Sequence, residues 1–61
     1  MRIEKAISID GFILFILYSP AEYWQYAIVS REGKLWQPED IFFSPDWAER
    51  DGRQWIKVVL G

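Results

Sequence analysis

The stretch IDGFILFILYSPAEYWQYAIV, Ile9 to Val29, decides the fold. Asp10-Gly11 separates two runs rich in strand formers, and an Asp-Gly pair in that setting signals a two-residue type I′ hairpin. Upstream, Ile3, Ile7 and Ile9 fall on odd positions and Glu4, Ala6 and Ser8 on even ones, the period-2 pattern of a half-buried strand. Downstream, Phe12 to Tyr18 is unbroken in apolar and aromatic residues. Ser19-Pro20-Ala21-Glu22 reads as a turn into a third run, Tyr23 to Val29.

The remainder completes a small α+β domain. Arg31-Glu32-Gly33-Lys34 closes another hairpin, with Gly33 as its left-handed residue. Leu35-Trp36-Gln37 begins a fourth strand, which Pro38 confines to an edge or a bulge before Ile41-Phe42-Phe43. Ser44-Pro45-Asp46 then carries a helix N-cap, a proline at the first helical position and an acid suited to the dipole. The expectation is one domain over residues 1–61: an antiparallel β-meander of three to four strands with one C-terminal α-helix packed on one face. The strands fall at about 2–9, 12–18, 23–30 and 34–37, with a possible extension over 41–43. The helix covers about 45–59, and a short helix to Asp51 followed by a strand is the rival reading, because Gly52 costs a helix about 1 kcal/mol.

On a helical projection Asp46, Glu49, Arg50, Arg53 and Lys57 share one arc, and Trp47, Ala48, Trp55, Val58 and Val59 form the expected buried side. Asp46 to Arg50 and Glu49 to Arg53 are acid-first i,i+4 pairs. The Asp10-Gly11 turn pairs Ile9 with Phe12 and places Ile3, Ile7 and Ile9 with Phe12, Leu14, Ile16 and Tyr18. If the second turn pairs Tyr18 with Tyr23, then Tyr23, Gln25, Ala27 and Val29 join that face and small Ala27 seats the helix. The opposite face then carries Ile13, Phe15, Leu17, Trp24, Tyr26 and Ile28, an apolar patch with no second helix to cover it. Its composition is that of a protein interface, self-association or a groove for another protein, unless the fourth strand or the Pro38–Phe43 loop closes over it as ordinary core.

Composition narrows the chemistry. With 61 residues the core is marginal, and the chain has no Cys for disulfides and no His. Apolar residues make up 51 % of it and aromatics 18 %, enough to fold rather than remain disordered. Thr and Asn are also missing, and Ser8, Ser19, Ser30 and Ser44 lie in strand margins, turns or a cap. Glu39-Asp40 and Asp46/Glu49 read as a solvated turn and a solvated helix face, so the expectation is no enzyme, no cofactor and no metal site. Net charge is −2, with the seven basic residues scattered, which argues against nucleic acid. The alternative keeps it, with sheet aromatics stacking on bases beside the Arg50, Arg53 and Lys57 helix face. MRIEKA before an apolar run faintly suggests a leader, but Glu4 and Asp10 are misplaced for one and the run is too short to span a bilayer. The expectation is a cytoplasmic, non-catalytic interaction or regulatory module, homodimeric or bound to another protein, with no membrane partner.

Tyr26 to Trp36 followed by SPDWAERDGRQWI distantly resembles the sheet-then-helix layout of HicB-type antitoxin domains. The Asp-Leu-Pro-Gly segment of that family is missing, and the resemblance assigns no functional residue.

Overall fold

A computed structural model describes residues 1–60; Gly61 lies outside the described residues. Strands β1 (Arg2–Ile9), β2 (Phe12–Ser19), β3 (Tyr23–Val29) and β4 (Leu35–Trp36) form one antiparallel sheet in sequence order. Helix α1 (Pro45–Trp55) and a π-helical turn (Ile56–Leu60) follow and pack on one face, giving the expected α+β meander. Residues 53–60 form no strand; the helix widens by one turn over Ile56–Leu60 instead.

The first hairpin follows its Asp-Gly signal. Asp10 and Gly11 have φ of 49° and 85°, as a type I′ turn demands, and Ile9 pairs with Phe12. The second hairpin differs from expectation by one residue. Ser19 pairs with Tyr23 and Tyr18 with Trp24, because the connection is three residues long, with Glu22 in the left-handed region at φ 67°. Glu22 N donates to Ser19 O at 2.9 Å, and Ser19 Oγ accepts from Ala21 N at 3.2 Å. A side chain in that conformation is strained by about 1 kcal/mol or more. Glu22→Gly should therefore raise stability by about 0.5–1 kcal/mol in denaturant titrations, after the entropy that glycine adds to the unfolded chain. A loss of stability would show that the turn is held by the glutamate itself.

The slip exchanges the two faces of β3. Trp24, Tyr26 and Ile28 lie with Leu14 and Ile16 under the helix, and Tyr23, Gln25, Ala27 and Val29 face away from it. A β-bulge at Glu4 does the same to the start of β1: Ile3 pairs with Leu17 and leaves the face of Ile7 and Ile9, while Lys5 pairs with Ile16.

The helix seat is also the reverse of the expected one. Small residues of the helix, Ala48 and Gly52, together with Ile56, press on Leu14, Ile16, Tyr26 and Ile28. Trp47, Trp55, Val58 and Val59, expected in the core, remain exposed, since a close approach through Ala48 and Gly52 leaves no room for them between helix and sheet. Ser44 caps α1 as expected, its Oγ accepting from Trp47 N at 3.2 Å. The fourth strand is shorter than expected, only Leu35–Trp36. In place of a strand over 41–43, Phe42 exchanges two backbone hydrogen bonds with Trp24, at 2.7 and 2.8 Å. Its ring lies 6.0 Å from that of Tyr26, so the loop closes on the helix side.

An ion pair joins helix to sheet. Glu49 accepts from Lys5 Nζ and from Arg53 Nε, each at 2.8 Å, and these partners, Lys5 first, hold its carboxyl below its ordinary pKa of 4.5. Its contribution is present above the unfolded-state value and is lost as pH falls through the folded one. Both cations are half exposed, so Glu49→Gln should cost only about 0.5–1 kcal/mol at pH 7. The variant's stability should fall less than that of the parent between about pH 5 and 3. Parallel pH profiles for the two proteins would refute the assignment.

Candidate functional site

Among the described residues no helix or further sheet covers the sheet face turned away from α1. Its side chains stand in rows set by the register: Ile3, Leu17 and Gln25; Ala6, Phe15 and Ala27; Ser8, Ile13, Val29 and Leu35. Ser19 and Tyr23 close one end. None is charged. Ile3, Ile13 and Leu35 are 59, 43 and 60 % exposed, and Phe15, Leu17 and Val29 are half-buried by their neighbours in the sheet. Ala27 lies buried at the floor between them.

The sheet thus divides the six sequence-predicted interface residues. Ile13, Phe15 and Leu17 share the open face, whereas Trp24, Tyr26 and Ile28 sit on the covered one, with Tyr26 and Ile28 fully buried. Ile3, Val29 and Leu35 take their place on the open side. The Val29 signal was visible in the third run, but its face depends on the Glu22 turn. Ile3 could be placed only by knowing the Glu4 bulge.

Other large apolar side chains are exposed on and just before the helix. Phe43 and Trp47 are 78 and 60 % exposed, and Trp55, Val58 and Val59 are exposed beside them in sequence. Charged residues interrupt them. Arg50 stacks its guanidinium 5.1 Å from the Trp47 ring centroid instead of pairing with Asp46, and Asp46, Glu49, Arg50, Arg53 and Lys57 border one shallow depression. A phosphate there would meet Asp46 and Glu49 together with the cations, one of which, Arg53, is held by Glu49. With Trp24 and Tyr26 turned under the helix, Phe15 and Tyr23 are the aromatics left on the open sheet face for base stacking.

The titratable groups of the core serve structure. Tyr26 Oη donates to Asp51 Oδ2 at 2.8 Å; burial, with the nearby carboxylates, raises the phenol well above its ordinary value of 10. Three serine hydroxyls are engaged with backbone: Ser19 and Ser44 as above, and Ser30 accepting from Lys34 N at 3.1 Å. Among the described residues no three His, Cys, Asp or Glu side chains gather in a way that would hold a metal ion, and no helix is long and apolar enough to cross a membrane.

The fold and this face define a small α+β domain with a one-sided sheet. No protein-family model matches the chain, and no curated protein or solved structure matches it either.

Proposed function

We propose that the chain is a non-catalytic protein-association module, of interaction or regulatory type, and that the open sheet face is its contact surface. The observation that carries this reading is the absence of charge from a face whose centre is Ile13, Phe15 and Leu17. Interface cores are depleted in charge and rich in such side chains, and exposed apolar areas of this kind on small soluble domains mark contact sites. The exposed helix-side residues fit less well, because Arg50 stacks on Trp47 and lines, with four other charged residues, a depression on the helix. A cytoplasmic setting belongs to the same proposal.

Phe15→Glu/Leu17→Glu tests it. The double variant should still unfold cooperatively, at a cost of about 1–3 kcal/mol for two half-buried side chains, since neither belongs to the core beneath the helix. At low micromolar concentration it should also be retained clearly less by a phenyl matrix. A variant that unfolds would make the two residues core, and unchanged retention would show that the face is not an accessible apolar surface.

A further inference from the structure

We infer that the occupant of the open sheet face is a second copy of this chain, packed sheet on sheet about a two-fold axis that runs along the strands between β2 and β3. The inference rests on the reading of this face as the association surface and names its partner. Three observations carry it. First, the face has no charge with which to select or reject a charged partner, so a surface of the same kind meets it without stranding an ion.

Second, the rows are complementary to themselves. Rotation about an axis along the strands keeps each row at its own level and reverses its order. Phe15, paired with Ala27 across the β2–β3 ladder, then faces Ala27 of the second copy. In the row of Ser8, Ile13, Val29 and Leu35, small Ser8 faces Leu35 and Ile13 faces Val29. Large stands against small at Phe15–Ala27 and Leu35–Ser8, the arrangement that lets two layers interdigitate, while side chains of like size meet at Ile13–Val29 and Leu17–Gln25. Aligned sheet packing of this type leaves about 10 Å between the sheets, which such side chains fill. Isologous contacts of this form are those that close at two copies.

Third, the area suits a dimer and little more. The two longer extents of the domain are 30 and 19 Å, so a face of that outline offers roughly 570 Å² per copy, about 1,100 Å² in total, the scale of small, weak interfaces. Placing the axis between β2 and β3 uses nearly all of that face, whereas an axis over β1 would leave half of it uncovered. An interface of that size is of the weak, reversible kind.

Sedimentation equilibrium from about 1 μM to about 1 mM, on the full chain, tests this. The parent should pass from monomer to dimer across that range, and Phe15→Glu should stay monomeric. Ala27→Phe is the sharper variant, for it adds apolar surface and yet should weaken dimerisation at least tenfold by filling the place of the facing Phe15. Phe15→Ala/Ala27→Phe, which moves the large side chain to the other strand, should recover it. If Ala27→Phe does not fold, Ser8→Phe, at an exposed position facing Leu35 of the second copy, carries the same test. Dimerisation by Ala27→Phe or Ser8→Phe that equals or exceeds that of the parent would overturn the inference, and so would a parent that is monomeric throughout. In the latter case, reduced phenyl-matrix retention of Phe15→Glu/Leu17→Glu leaves the face as a surface for a different protein, while unchanged retention removes that reading as well.

Discussion

Gly52→Val should remove a large part of the domain's stability at 25 °C. In an exposed helix interior, replacing glycine stabilises by up to about 1 kcal/mol, so propensity alone predicts a gain. Packing opposes it. A Cβ on Gly52 would lie 2.5 Å from Leu14 Cδ1, 3.2 Å from Leu14 Cδ2 and 3.3 Å from Tyr26 Cδ1. Leu14 ends in flexible methyls, which on a surface would swing aside, but it is fully buried and bounded by Ile16, Ile28 and Ile56. Relief must come from lifting the helix, which strains the Tyr26–Asp51 hydrogen bond and opens voids around Ala48. Overpacking of this type costs about 1–3 kcal/mol for the first methyl, and valine adds two more carbons and a β-branch. The expected loss is about 3–5 kcal/mol against a total of roughly 3–9 kcal/mol for a chain of this size. Gly52→Ala should lose about 1–2 kcal/mol net. Circular dichroism during urea titration gives both values, and a midpoint at or above that of the parent for Gly52→Ala would mean that Leu14 yields freely.

The same glycine shows where the sequence could be read and where it could not. As a local signal Gly52 only weakens a helix, and it left a strand open as the rival over the last residues. Its benefit appears only when Leu14, 38 positions earlier, is placed against it. The first hairpin was legible because Asp10-Gly11 carries its own backbone geometry, and the helix start because Ser44 and Pro45 act locally. The β2–β3 register was not, because the left-handed turn position is held by glutamate, where glycine or asparagine would have announced a three-residue loop. That one residue moved Trp24, Tyr26 and Ile28 from the expected contact surface into the core. The alternation of β1 misled in the same manner, since Glu4 occupies a bulge that no residue type marked in advance. The apolar run of β2 tolerated both slips. Phe12, Leu14 and Ile16 alternate with Ile13, Phe15 and Leu17, so either register leaves one set covered and the other open.

Ile28→Glu and Ile13→Glu should therefore have opposite outcomes, although a one-residue change of register would place the two isoleucines on one face. Ile28 is fully buried beside Leu14 in a cluster of apolar side chains, Ile16, Tyr26, Ala48 and Ile56 among them. Burying an unpaired carboxylate, or protonating it at neutral pH to avoid doing so, costs several kcal/mol, and the lost packing of isoleucine adds about 2–4 kcal/mol. The sum exceeds what a domain of this size has, so Ile28→Glu should be unfolded in water, with no cooperative thermal transition. Ile13 is 43 % exposed on the open face, opposite Ser8 and Val29. A glutamate there keeps its head in water, and the monomer should lose no more than about 1 kcal/mol. The charge would instead fall in the middle of the sheet-on-sheet contact, where a second copy brings an equal charge close by across the axis. Dimerisation should drop by at least tenfold, with partial recovery at high salt as the two carboxylates are screened. A folded Ile28→Glu together with an unfolded Ile13→Glu would return β3 to the other register and exchange the roles of its faces. If both variants fold, with Ile13→Glu as strong a dimer as the parent, the helix-covered face would be loosely packed and the open face would have no part in association.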